Sequence, residues 1–471
     1  MMFFVLCAGE AGIVLVLLSL YRAATKPDVS SFLFSLPGIV FLCSSVIVAV
    51  SVGWTIHAIL KSNPSCRRHH FMALGMNLVT LFFTLGTTEV MSFALSKHTA
   101  VGETLLGVPL YPNLWSTGAE ERKKAIDEMA LESNYHVYDP LLGWTVGPSR
   151  SDQTGQDLSS SEGLRSPRVG MSFANARARH SGFSPHPAPF RVALVGDSMT
   201  FGYEVRCEET WGHVLEGLLQ PHVQVLNFGV SAYGLNQAFL RYEKDVRAWH
   251  PQIVIIGISS QMIMRINSIY QELMTPAWGH LLARPRLVRK NDVLSAINYP
   301  VPEPREIFAY STIQESPHLD LDAYYRPFQW ERGGIWHLFE QSYVFRFLNA
   351  FRPPTEARPK DIQHEAVILS QFVTQSLVRK VLEDGAIPLI VWFPYAYELP
   401  RSADPGNTGL SLPARMLRDA GLEYYDPTEC LIEVGTSERY AKGGHYSPKG
   451  NAHIAECLEP LLRAQINRLR H

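Results

Sequence analysis

The chain predicts an α/β fold: a parallel sheet covered by helices on both faces, preceded by membrane-embedded helices. Three observations predict it. Short apolar runs rich in β-branched residues, among them RVALV at 191–195 and PQIVII at 251–256, alternate with stretches of helical periodicity. That alternation marks strands buried on both faces by crossover helices. The first of these runs stops abruptly at Gly196-Asp197-Ser198, three residues suited to a sharp turn and a helix cap. The third observation is a block of about 95 residues at the N-terminus dominated by long apolar stretches, each near the ~20 residues a membrane span requires.

Those stretches are 3–21, 35–60 and 71–95. The first has no basic leading segment and no small-residue cleavage site, so it reads as an anchor and not as a cleaved signal. The loop after the second span carries Lys61, Arg67 and Arg68, against Arg22 and Lys26 with Asp28 in the loop before it. The positive-inside rule then places the second loop in the cytoplasm and everything after the third span outside it, at a plasma or inner membrane. Glu10 and Glu89 fall inside the apolar stretches; near the two interfaces, each is expected to pair with a neighbouring helix.

Residues 96–185 are expected to form a connector. Its Pro140–Trp144 segment is a turn with an aromatic anchor, and 149–169 is a polar Ser/Gly/Gln-rich stretch expected to be a flexible loop. The remaining domain, 186–471, is read in alternation. Strands are expected at 191–195, 223–228, 251–256 and 387–393, with a short fifth at 423–425. Helices are expected at 210–219, 235–249, 365–384, 411–420 and 448–469. An excursion at about 265–360, rich in Pro, Tyr and Trp, interrupts the pattern. Within it, Arg265, Arg284 and Arg286 are either an anion- or sugar-binding set or a solvated face. Trp278, Trp330, Trp336, Tyr324 and Tyr325 resemble a sugar-stacking set in type but fit a core or a membrane interface as well.

Composition removes whole classes of function. The formal net charge is −2, and no basic stripe interleaves with aromatics, so no nucleic-acid partner is expected. Six cysteines are scattered without metal-ligand spacing, and neither a metal nor a cofactor is expected. Cys207, Cys430 and Cys457 are expected as buried thiols, with a bridge between two of them as the alternative in an oxidising compartment. His213 and His453 lie in helical patterns and are expected to be packed or solvent-facing.

Chemistry concentrates in two segments. Ser198 ends a buried strand, where open α/β sheets bind ligands, and its hydroxyl is a nucleophile if a base lies nearby. Some 250 residues on, His445 sits in GGHYSPKGN, a Gly-rich loop before a helix that Ser447 caps and Pro448 opens. GDSMTFG followed late in the chain by GHYSPKGN resembles the SGNH (GDSL) hydrolase family over roughly residues 185–470. No G-x-S-x-G elbow is present, which disfavours the α/β-hydrolase fold.

The resemblance implies a flavodoxin-like three-layer domain and a Ser198 acyl-enzyme formed with His445 as base. It implies an oxyanion hole from the N–H of Ser198, the N–H of Ala232 and a side-chain amide after the third strand. Asn227 and Gly229 belong to the N-x-G-x-S pattern after the second strand, and Ala232 stands where the family has Gly. The family's Asn-Asp after the third strand is missing. Gln261 is the preferred stand-in; a register slipped by one would put Met262 there and leave no donor. The acid two or three residues before the histidine is also missing, since Lys442 and Gly443 hold those positions. Either a backbone carbonyl orients His445, or Asp426 or Glu438 does, or the site is a Ser–His dyad. Asp197 is read as a structural hydrogen-bonder.

For a membrane-anchored domain of this type, the resemblance implies a serine esterase or O-acyltransferase acting on acyl esters of envelope or exported polysaccharide. The alternatives are a lipid esterase or thioesterase, and a catalytically impaired glycan-binding protein of a polysaccharide-assembly complex.

Overall fold

A computed structural model describes residues 86–99, 102–115, 134–174, 190–221, 223–274, 282–308, 310, 312–351, 360–399 and 411–470, with isolated helical positions between 57 and 127. The first two expected spans lie essentially outside the described residues, as does Glu10. Among the described residues, no helix is long and apolar enough to cross a membrane. Two compact units are present, 1–118 with 326–355 and 119–325 with 356–471.

The smaller unit contains an antiparallel meander of β1 (Ser96–Thr99), β2 (Gly102–Leu105) and β3 (Val108–Pro109). Leu105, Val108 and Leu110 pack against Phe347 of the helix Tyr343–Asn349. The buried Glu103 carboxylate is paired with Arg346 and accepts from the Tyr343 hydroxyl, which removes the cost of an isolated buried charge. Glu89 accepts from the Ser342 hydroxyl and from the N–H groups of Tyr343 and Val344. It therefore satisfies free donors at the start of that helix.

The larger unit opens with the hairpin β4 (His136–Asp139) and β5 (Gly143–Val146). Its sheet is built from β6 (Phe190–Val195), β7 (Val223–Asn227) and β8 (Ile253–Ile258). A side hairpin, β9 (Leu287–Lys290) with β10 (Val293–Ala296), precedes the last sheet strand, β11 (Ile387–Trp392). The sheet runs β11-β8-β6-β7, every pair parallel, with Leu194 opposite both Ile255 and Asn227. This is the flavodoxin-like order. The expected fifth strand is reduced to one parallel bridge, Val391 with Tyr425, because the chain turns into Pro427 and cannot extend the ladder.

The strands read as continuous apolar runs because successive side chains enter opposite cores. Val192, Leu194, Ile253 and Ile255 face the helices Trp211–Leu219 and Pro448–Arg470. Ala193, Val195, Val254 and Ile256 face Leu235–Arg241, Lys360–Glu383 and Leu412–Asp419. The helix expected at 235–249 is α-helical only to Arg241, then widens into a π turn and tightens at 247–249.

Three expectations are corrected. The polar stretch 149–169 is ordered. Ser159, Ser160, Ser166 and Arg165 are buried; Arg165 pairs with Asp157 at 2.6 Å, and Ser159 Oγ donates to Gly147 O at 2.6 Å. Polar groups that satisfy one another offset the ordering entropy that composition alone leaves uncovered. The arginines of the excursion are neither a binding set nor a solvated face. Arg265 pairs with Asp197, Arg286 with Glu365, and Arg284 is fully buried over Trp144, with burial and nearby Arg265 lowering its pKa to about 9. Finally, Cys430 and Cys457 form a disulfide, and of the three cysteines only Cys207 is a buried free thiol. His453 lies beside that bridge, but bridged sulfurs offer no thiolate to a metal.

Candidate active site

Strand β6 ends at Gly196, where a Cβ would stand 2.1 Å from Thr200 Oγ1, so only glycine fits the turn. Asp197 caps the short helix Ser198–Phe201 by accepting from Met199 N at 3.0 Å. Its other oxygen accepts from Ser259 Oγ at 2.6 Å and from Arg265 at 3.2 Å. Asp197 is thus fully committed to holding the turn. Ser198 is buried and begins the helix, so its N–H has no intrahelical acceptor.

The loop before the C-terminal helix carries His445 to this rim. His445 Nε2 is 2.9 Å from Ser198 Oγ, and Nδ1 is 2.8 Å from Glu204 Oε2. The same carboxylate accepts from Gly443 N at 2.7 Å and His445 N at 3.0 Å. Burial acts to raise the Glu204 pKa, but the His445 and Gly443 donors outweigh it and hold the carboxyl below its ordinary value. The carboxylate paired with His445 is therefore Glu204. Neither a backbone carbonyl nor the two acids weighed from sequence has that place: Asp426 accepts from Thr428 N at 2.9 Å, and Glu438 pairs with Lys449.

Sequence reasoning missed Glu204 because it looked just before the histidine. The acid lies instead six residues after the serine. The signal was in GDSMTFGYEV: Gly202 ends the helix at φ 75° and turns the chain so that Glu204 points back at the histidine loop.

Asn227 stitches the loops after β6 and β7 together. Its Nδ2 donates to Thr200 O at 3.0 Å, and its Oδ1 accepts from Gly229 N at 2.9 Å. Ala232 has φ 65°, the left-handed conformation that a glycine would adopt without a Cβ penalty. Among the described residues, neither the Ser198 N–H nor the Ala232 N–H has a hydrogen-bond acceptor. Met262 is fully buried in the core, whereas Gln261 is partly exposed and its amide donates to the Tyr397 hydroxyl at 3.4 Å.

Three tyrosines frame the histidine. Tyr203 meets the ring edge-on at 5.1 Å and Tyr395 at 6.2 Å, while Tyr397 stacks on Tyr395 at 5.6 Å. Tyr203 and Tyr397 are exposed. Chemically, the constellation is a hydroxyl, an imidazole and a carboxylate in one continuous hydrogen-bonded line.

No family model matches the chain, and no curated protein matches it. Solved structures similar to it include a GDSL-like lipase from Bacteroides thetaiotaomicron, at 11% identity over 63% of this chain and 97% of that one, with TM-score 0.29. An acetylxylan esterase from Geobacillus stearothermophilus is 15% identical over 56% of this chain and 90% of that one, with TM-score 0.27.

Proposed function

We propose that the larger unit is a serine ester hydrolase whose nucleophile is Ser198. The observation that carries this reading is the unbroken line from Ser198 Oγ through His445 to Glu204, at 2.9 and 2.8 Å. In the first half-reaction, Oγ attacks the ester carbonyl as Nε2 takes its proton. Glu204 holds the Nδ1–H tautomer and stabilises the imidazolium. The tetrahedral oxyanion is met by the N–H groups of Ser198 and Ala232. Collapse expels the alkoxide, which takes the proton from Nε2, and leaves an acyl-serine. Water, or a sugar hydroxyl in a transferase, then attacks with His445 again as base.

For the substrate, we favour short acyl groups on carbohydrate. The exposed rings of Tyr203, edge-on to His445, and Tyr397, stacked on Tyr395, suit a sugar ring, which stacks its C–H face on an aromatic. The three apolar stretches before residue 95 support a membrane anchor, and the Cys430–Cys457 bridge suits an oxidising compartment outside the cytoplasm.

The test is turnover of p-nitrophenyl acetate and fluorophosphonate labelling by wild type and Ser198→Ala. Both signals are expected in wild type and neither in the variant; equal behaviour of the two proteins defeats the proposal. Acetylated sugars against long-chain acyl esters then separate carbohydrate from lipid substrates.

A further inference from the structure

We propose that the Tyr395 hydroxyl is the side-chain donor to the oxyanion, filling the place that the segment after β8 leaves without an asparagine. The inference rests on the ester-hydrolase reading above. Strands β8 and β11 are neighbours, with Ile258 opposite Trp392, and Phe393 N still donates to Ile258 O at 2.8 Å. The chain leaving β11 therefore starts beside the point where the chain leaves β8. A residue two positions past Phe393 can reach the same site as one two or three positions past Ile258.

Tyr395 reaches it. Its ring stands edge-on to that of His445 at 6.2 Å, and the side-chain hydroxyls of Ser259 and Ser198 both act to lower the pKa of its own hydroxyl against the burial that raises it. Gln261, the residue that sequence alone favours, has its amide turned to the Tyr397 hydroxyl.

The tyrosine is held in place from several sides, as a preorganised donor must be. The Pro394 carbonyl accepts from the Tyr440 hydroxyl at 2.9 Å and the Tyr446 hydroxyl at 3.1 Å. Tyr395 N donates to Glu398 at 2.8 Å, and the other Glu398 oxygen accepts from Ser260 at the start of the helix after β8. Tyr397 covers one ring face. Burial raises the Tyr395 pKa well above its ordinary value, so the hydroxyl keeps its proton wherever the enzyme works. As the carbonyl oxygen gains charge, it becomes the stronger acceptor and takes the bond.

The test compares Tyr395→Phe, Tyr395→His and Gln261→Ala in the full chain. It measures p-nitrophenyl acetate kinetics, inhibition by phenylboronic acid, fluorophosphonate labelling and thermal melting. Tyr395→Phe is expected to lower kcat by about 10²–10³ with KM changed less than threefold, as for loss of one oxyanion donor. Its boronate inhibition constant should rise in step. Tyr395→His should recover part of the loss, and Gln261→Ala should cost less than threefold.

A kcat within threefold of wild type for Tyr395→Phe overturns the inference, as does a larger loss from Gln261→Ala than from Tyr395→Phe. So does a loss confined to KM. If Tyr395→Phe melts much lower than wild type, its labelling at Ser198 below the melt decides: a wild-type rate overturns the inference, and a rate reduced at least tenfold supports it. A wild type that neither turns over nor labels overturns the hydrolase reading and this inference together. A wild type that labels beside an unimpaired Tyr395→Phe overturns this inference alone.

Discussion

Two residues of the candidate site hold a left-handed backbone without being glycine: Glu204 at φ 71° and Ala232 at φ 65°. Each costs about 1–2 kcal/mol relative to ordinary backbone, and such strain persists where surrounding structure over-determines it. At Glu204, three hydrogen bonds to the histidine loop do so. Ala232→Gly removes the Cβ and should melt no lower than wild type, gaining up to about 1 kcal/mol. Ala232→Val should melt clearly lower; equal melting points would show that the backbone here is relaxed. Glu204→Gln keeps the shape and removes the charge that, in the proposed mechanism, stabilises the imidazolium. Its kcat should fall by up to ~10⁴ with little change in KM. The pH dependence follows from the direction of the shift. The folded carboxyl lies below its ordinary value of 4.5, so its contribution to stability is complete above about that pH and lost as pH falls through the folded value. Wild type should therefore lose stability more steeply than Glu204→Gln below pH ~4.5, measured by thermal melting across the acid range. Parallel curves would remove Glu204 from the acid response.

At the level of elements, the Cys430–Cys457 bridge encloses the whole histidine loop within its 27-residue separation. It ties the helix Thr428–Ile432 to the C-terminal helix whose N-terminus follows His445. Closing a loop of this length is worth roughly 3 kcal/mol, mostly by restricting the unfolded chain. The double variant Cys430→Ser, Cys457→Ser should lose about that much in urea unfolding, and dithiothreitol should bring wild type to the same midpoint. A wild-type midpoint indifferent to the reductant would mean the bridge adds no stability. The sequence could not select this pair, because pairing depends on which loop folds against which helix. The strands were legible for the opposite reason. A run such as IVIIGI is buried at every position, and a run apolar on both faces has few other places to go in a soluble fold. The fifth strand was not, since the same local propensity at Tyr424 and Tyr425 meets a proline before a ladder can form.

Across the whole larger unit, the legible parts of the site were those read by local chemistry: a serine after a strand and a histidine on a glycine-rich loop. The acid was hidden because a carboxylate's role depends on where a turn aims it, and six residues from the serine it resembles any surface glutamate. The expected boundary near residue 185 meets a similar obstacle. Tyr135, Leu142, Trp144, Val146, Leu164 and Phe173 are buried in one core with Leu226, Val230 and Tyr233 of the sheet and its rim. Trp144 Nε1 donates to Ser231 O at 3.1 Å, next to Ala232, and the Tyr233 hydroxyl returns a bond to Trp144 O at 2.6 Å. The hairpin β4–β5 and the polar loop after it thus close one face of the sheet and brace the backbone that offers the Ala232 N–H. A chain trimmed to 186–471 uncovers that face, whereas one trimmed to 134–471 keeps it. The shorter chain should be poorly soluble or melt without cooperativity and fail to label at Ser198 under conditions where the longer one labels. In the intact protein, Trp144→Ala should cost about 3–5 kcal/mol, as for other large-to-small changes at buried aromatics. Part of that cost should appear in kcat, because the Ala232 loop loses its anchor at Ser231. If the 186–471 chain melts and labels like the longer one, the hairpin is an accessory and the Ala232 loop holds its conformation without it.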